Sequence, residues 1–174
     1  MDRATVTLVE YNPNWLKQFD CEKTNIINAI GDQILCIEHI GSTSIVGLKA
    51  KPIIDIMVGV HHLEQVSSLV HPLQEIGYEY VPKIEFKDRK FFRKGQWGQG
   101  TCHLHICEYD SSEWREKILF RDYLRNHPEF AEEYALLKTN LASNYTFDRP
   151  TYTKNKEPFI RSVLQKAKLE KAKK

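Results

Sequence analysis

Residues 52–60 read Pro-Ile-Ile-Asp-Ile-Met-Val-Gly-Val, a near-continuous apolar run with one carboxylate inside it. Branched aliphatics in unbroken succession predict a central strand covered on both faces. A chain built around such a strand must layer helices against a sheet to bury both sides. The carboxylate narrows the choice further. An ionised Asp55 among Ile53, Ile54, Ile56 and Val58 is costly to desolvate unless it is paired or coordinates a metal. Its structural alternative is an ion pair with Lys51 or a backbone nest.

The rest of the chain supplies the layers. Thr5 to Glu10 alternates as a short strand. Asn12 then caps a helix with Pro13 at its first position, where the missing N–H costs nothing. Trp15, Phe19, Ile26 and Ile30 form one stripe of that helix, and Gly31 ends it. Ile34 to Ile40 reads as a strand that breaks at Gly41-Ser42-Thr43-Ser44. Leu63, Val66, Leu69, Val70, Leu73 and Ile76 make an amphipathic helix closed by Gly77. Tyr78 to Val81, Lys90 to Arg93 and Cys102 to Glu108 are three further strands, the last two joined as a hairpin through residues 95–100.

From Asp110 the chain is helical. Asp110 and Glu113 have the spacing of a capping box, and Trp114, Ile118 and Leu119 begin an apolar stripe. Asn126-His127-Pro128 restarts a second helix through Phe130, Tyr134, Leu137 and Leu141. A third carries Phe159, Ile160, Val163, Leu164 and Ala167, with Pro158 at its start and Asn155 or Lys156 just outside. Strands first and helices last predict an α+β fold in one domain over 1–174, an α/β core to residue 109 and a mainly helical part from 110. Trp114, Tyr123 and Tyr134 are most simply packing aromatics.

Composition excludes several classes. With 41% hydrophobic and 28% charged residues the chain is neither disordered nor fibrous. A net charge of +2 gives no bulk attraction to nucleic acid, which is not an expected partner. The lysine-rich end, 166–174, reads as a solvated helix terminus. No run of 18 apolar residues is present to span a membrane, and the first residues lack the apolar core of a signal peptide. Cys21, Cys36, Cys102 and Cys107 contain no Cys-x-x-Cys pair, so reduced thiols in a cytoplasmic protein are expected.

Two constellations carry chemistry. The first is the corner Gly41, Ser42, Thr43 and Ser44, where glycine permits close backbone approach and hydroxyls and N–H groups are offered to an anion. The second is Cys102-His103-Leu104-His105-Ile106-Cys107. Period-2 geometry puts His103, His105 and Cys107 on one face, with the imidazoles about 7 Å apart along the strand. They can converge on one ion, or simply be hydrogen-bonded on a half-buried strand. Lys51, Arg89, Arg93, Lys138 and Lys154 are the candidate cations for phosphate oxygens. Individually each is more often a solvated surface charge.

The order of these segments resembles the GrpB family, assigned to the nucleotidyltransferase superfamily. Glu38-His39-Ile40-Gly41-Ser42-Thr43-Ser44, Gly47-Leu48 and Lys51-Pro52-Ile53-Ile54-Asp55-Ile56 carry the resemblance. Tyr11-Asn12-Pro13-Asn14-Trp15, His103-Leu104-His105, residues 120–128, residues 134–138 and Tyr152-Thr153-Lys154 extend it over nearly the whole chain. The resemblance implies a nucleotidyltransferase-like mixed sheet flanked by helices. It also implies a nucleotide or phosphorylated small molecule held at the Gly-Ser corner by Ser42, with Asp55 as the first metal-binding carboxylate. In some bacteria the same module is fused behind dephospho-coenzyme A kinase, which hints at nucleotide-related work. The second carboxylate position is Met57, which cannot ligate a hard cation such as Mg²⁺. With His103 and His105 replacing oxygen ligands, Asp55 would complete a mixed set for a divalent ion, Zn²⁺ or Mn²⁺ more readily than Mg²⁺. The resemblance thus implies a metal-dependent transferase that moves a nucleotidyl or phosphoryl group between a nucleotide and a small acceptor, with Asp55 and Ser42 as its catalytic residues. A nucleotide- or coenzyme-binding module without turnover and a small metal-dependent phosphohydrolase are the alternatives.

Overall fold

One mixed sheet of five strands organises the molecule, in the order β1-β2-β5-β4-β3. The structure, a computed structural model, describes residues 5–174. The strands are β1 (Cys36–Ile40), β2 (Ile54–Val60), β3 (Tyr78–Tyr80), β4 (Arg89–Gln96) and β5 (Gln99–Glu108). The helices are α1 (Asn14–Ile30), α2 (Val66–Glu75), α3 (Ser112–Asn126), α4 (Pro128–Asn144), α5 (Arg149–Lys154) and α6 (Glu157–Ala172). The apolar run is β2, antiparallel to β1 and parallel to β5. The fold is α+β, as the order of elements predicts.

Alternation along β2 and β5 gives the sheet two unlike faces. Ile54, Ile56, Val58 and Val60, with Leu104 and Ile106, pack on the α1 stripe of Trp15, Phe19, Ile26 and Ile30 and on Val66, Leu69 and Leu73 of α2. The opposite face carries Asp55 and Met57 beside His103, His105 and Cys107. There Trp114 of α3 packs with Met57, Cys107 and Ile40. A Cβ on Gly59 would stand 3.1 Å from the Trp114 ring, so the bare glycine lets α3 lie close. Asp55 and His103 lie beyond this cover, with side chains 30% and 31% exposed.

The helical half is fastened to β1 and to the turn after it by cations. Arg121, 8% exposed, donates to Glu38 at 2.6 Å, to the His39 carbonyl at 3.0 Å and to Asp122 at 2.9 Å. Arg125 donates twice to the Ser44 carbonyl, at 3.0 and 2.8 Å. Ile45 and Leu48 close a second core with Leu124, Tyr134 and Val163.

Several local expectations are corrected. Thr5–Glu10 is not a strand. Among the described residues its one ladder contact is the bridge Val9–Ala50, while the Val6 N–H donates to the Thr146 carbonyl and the Val6 side chain is buried with Leu141 and Tyr152. The alternation there reflects burial against helices, which periodicity does not distinguish from a sheet face. The predicted six-residue hairpin loop shrinks to the turn Trp97-Gly98, because β4 and β5 pair out to Gln96 and Gln99 through an irregularity at Gly95. The cap of α3 is Ser111, which accepts from the Trp114 N–H, whereas Asp110 sits at φ 62° and pairs with Arg115. Residues 149–154, to which periodicity assigns no element, form a short helix of their own, α5, capped by Asp148.

Gly41 has φ 72° and ψ −175°, a conformation essentially restricted to glycine. A Cβ there would meet Asp55 Oδ2 at 2.5 Å. Gly41→Ala is therefore expected to lower the unfolding free energy by about 2–3 kcal/mol in urea titration, combining backbone strain with overlap. Gly59→Ala, which meets a ring edge, should cost less.

Candidate functional site

Gly41 turns β1 into a single 3₁₀ turn, Ser42–Ser44. Two of its three hydroxyls are spent inside. Ser44, 2% exposed, donates its hydroxyl to the Gly41 carbonyl, and its N–H donates to the same carbonyl at 3.1 Å. Thr43, 1% exposed, shares a 3.0 Å hydrogen bond with His39 Nε2. His39 is stacked on Phe19 at 4.6 Å, and burial pushes its pKa down to about 4, so it supports the turn as a neutral ring. Ser42 is left as the partly exposed hydroxyl of the corner.

Asp55 lies directly behind Gly41 and gathers the histidines of β5. His103 Nδ1 is 3.4 Å and His105 Nε2 3.9 Å from the same oxygen, Oδ1. Burial alone would raise the Asp55 pKa, but the two imidazoles hold it far below the usual carboxylate range. His105 moves the other way: burial lowers its pKa against the attraction of Asp55. Phe91 closes this cluster from β4, its ring 5.1 and 5.2 Å from the two imidazoles. As the side chains stand, no group of three or more His, Cys, Asp or Glu among the described residues could hold a metal ion. Asp55, His103 and His105 therefore form a carboxylate–imidazole cluster rather than a ready cage. Cys107 is buried under Trp114, and burial pushes its thiol up to about 11. Met57, 1% exposed, is packed into the same cluster.

Lysines complete the site. Lys138 of α4 is 2% exposed, yet among the described residues its ammonium meets no carboxylate: it donates to Ser42 Oγ at 2.9 Å and to the Lys49 carbonyl. Burial, then the charges of Lys156 and Lys51, push its pKa down to about 7, with Asp55 pulling the other way. Lys156, at the N-cap of α6, falls to about 8 from burial and from Lys51. Lys51 is lowered by burial despite the attraction of Asp55. Lys51 and Lys156 both lie against the Tyr152 ring, 5.4 and 4.7 Å from its centre. Three ammonium groups thus crowd around a corner whose nearby acid is one aspartate.

The fold does not gather every predicted cation. Arg89 is engaged with Glu113 and stacked on Phe86. Arg93 pairs with Glu79 at 2.9 Å and lies over Trp97. Lys154 is exposed on α5. Lys156 takes the place beside Lys51 and was not singled out by sequence. Its only linear signal is its position just outside the Pro158 helix start.

Known proteins resemble this chain throughout its length. A family model described as GrpB protein matches residues 5–166. The glutamate-rich protein GrpB of Alkalihalophilus pseudofirmus is 38% identical over 94% of this chain and 97% of its own length. Dephospho-CoA kinase of Mycolicibacterium paratuberculosis is 26% identical over 95% of this chain but only 46% of its own. Among solved structures, the conserved protein GrpB from Enterococcus faecalis superposes with a TM-score of 0.87 at 36% identity, covering 97% of this chain and all of that one. A cytoplasmic RNA terminal U-transferase shares the fold at a TM-score of 0.50 and 11% identity, over 78% of this chain and 40% of the transferase. No helix among the described residues is long and apolar enough to cross a membrane.

The lowered lysines predict a pH signature. Below about pH 7 the folded and unfolded states both carry the Lys138 proton, so the cost of burying the charge is fully present. Between about 7 and 10.5 the unfolded chain binds more protons than the folded one, and stability rises with pH. Urea unfolding at a series of pH values should show this rise in the wild type and a flatter profile in Lys138→Met. Parallel profiles would mean that Lys138 titrates normally.

Proposed function

Because this chain belongs to the GrpB family and has a nucleotidyltransferase-like fold, we propose that its corner binds the phosphate groups of a nucleotide or phosphorylated small molecule. One observation carries the reading: a fully buried lysine, bonded to Ser42 and flanked by two more lysines, with Asp55 as its opposing charge and no carboxylate in contact among the described residues. Unpaired buried charge is strongly unfavourable, and a multiply charged anion arriving at Ser42 removes the penalty. Ser42, Lys51, Lys138 and Lys156 are the contacts, with Gly41 allowing close approach.

The reading stops at binding. Nucleotidyl transfer through two metal ions needs a second carboxylate on β2, and Met57 offers a buried thioether instead. A divalent ion (Mn, Zn or Mg) enters only as a companion of the ligand phosphates, and Asp55, His103 and His105 are then the donors nearest to it. Coenzyme A belongs among the ligands to test, because the match to dephospho-CoA kinases covers one segment of those proteins.

Thermal unfolding with ATP, GTP, CTP, coenzyme A and inorganic tripolyphosphate tests the proposal, with and without Mn²⁺. A ligand at a hundredfold excess over its Kd should stabilise the protein by about 2.7 kcal/mol. Lys138→Met, or Lys51→Met with Lys156→Met, should weaken it at least tenfold, about 1.4 kcal/mol. Absence of any phosphate-dependent shift defeats the assignment. Metal analysis of the purified protein beside Asp55→Asn and His105→Ala checks the ion separately. Equal metal content in all three removes it from the site.

A further inference from the structure

Lys138 does more than carry charge to the corner, because it donates to the hydroxyl of Ser42, the one partly exposed hydroxyl residue of the turn. We propose that Ser42 and Lys138 form a nucleophile–base pair through which Ser42 Oγ accepts a phosphoryl group from a phosphoanhydride, a nucleoside triphosphate or an acyl phosphate. The inference rests on the phosphate-binding reading and adds a covalent step to it.

The geometry is that of a serine activated by an adjacent amine. Lys138 Nζ lies 2.9 Å from Ser42 Oγ, and its other partner is the Lys49 carbonyl. As an ammonium it donates to both. As a neutral amine it keeps one N–H on the carbonyl and turns its lone pair to Ser42, so the serine O–H becomes the donor. The surroundings favour the neutral form. The side chain is 2% exposed and Lys51 and Lys156 repel a third positive charge, which outweighs the cation–π attraction of the Tyr134 ring 4.9 Å away. Asp55 is the opposing charge, and it is engaged with His103 and His105. Titration near 7 agrees with this balance.

The rest of the corner directs the chemistry to Ser42. Thr43 and Ser44 are buried and committed to His39 and Gly41. Lys51 and Lys156 remain to hold the transferred phosphoryl group and offset the charge of its oxygens. In the step, Oγ bonds to the terminal phosphorus while the Ser42 proton passes to Lys138 Nζ. The anhydride P–O bond breaks with its electron pair on the leaving nucleoside diphosphate or carboxylate. That anion is stable near neutral pH and needs no proton. The products are phosphoserine at position 42 and a Lys138 ammonium beside the new phosphate, an ion pair where an unpaired charge had been.

The test uses the full chain with acetyl phosphate or ATP, reading the gain of one phosphoryl group by intact mass and its position by peptide mapping. Labelling should fall on Ser42, vanish in Ser42→Ala and slow by about 100-fold or more in Lys138→Met, the usual contribution of a general base. Lys138→Arg keeps the cation but cannot accept a proton, so tripolyphosphate binding should persist while labelling is lost. At saturating donor the wild-type rate should climb with pH and level off, with its midpoint above about 7 because the bound anion stabilises the Lys138 ammonium. Protein that binds tripolyphosphate yet takes no label overturns this inference alone, whereas failure to bind tripolyphosphate overturns the phosphate reading as well. Label that survives Ser42→Ala, or an arginine variant as fast as the wild type, also refutes it. Should the arginine variant not fold, a rate independent of pH between 6 and 8.5 would do so.

Discussion

A lysine with 2% of its surface exposed, held by a hydroxyl and a carbonyl rather than by an acid, sets the terms for this fold. Lys138 reaches from α4 across 96 positions of sequence to Ser42 and thereby fixes the helical half against the turn that follows β1. Arg121 and Arg125 of α3 make the same kind of attachment to Glu38, His39 and Ser44. The arginines differ in one respect. Arg121 is matched by Glu38 and Asp122, so its burial is compensated within the chain. Lys138 is not, and an incompletely compensated charge in a packed interior is a place where stability has been given up for something else.

The second constraint is the two-sidedness of β2. One face is wholly apolar and seals the sheet against α1 and α2. The other mixes packing residues with Asp55, and the division between them follows the reach of α3. Trp114 covers Met57 and Cys107, and the next residue along that face, Asp55, emerges where the cover ends. An aspartate can occupy such a strand because it lies at this border. It keeps 30% exposure, two imidazoles face it, and the lysines beyond Gly41 lie within its field. Partial burial strengthens these attractions without the full desolvation cost of a deep interior site.

Membership of the GrpB family and kinship of fold with nucleotidyltransferases do not require the same chemistry. Here the frame is shared, while β2 carries a buried thioether at Met57 next to Asp55 and the histidines of β5 lie beside them. Around the Gly41–Ser44 turn the charges are mainly those of Lys51, Lys138 and Lys156, opposed by Asp55.

Much of this was present in the linear pattern. The unbroken apolar run gave the central strand, period-2 alternation put His103 and His105 on one face, and Gly41 followed by serine marked the turn. These are local properties, dictated by backbone geometry and by which side chains repel water. Which cations belong to the site was decided only in three dimensions. Arg89 and Arg93 look as promising as Lys138 in sequence, but Glu113 and Glu79 neutralise them in the fold. Lys154 points to solvent, while Lys156, two residues on, is carried to Lys51 by the join between α5 and α6. Thr43 and Ser44, equal to Ser42 as hydroxyls, are drawn inward by His39 and Gly41. The physical reason is the same in each case. The free energy of a charge or hydroxyl depends on what water it loses and which partners it gains, and those partners come from distant parts of the chain.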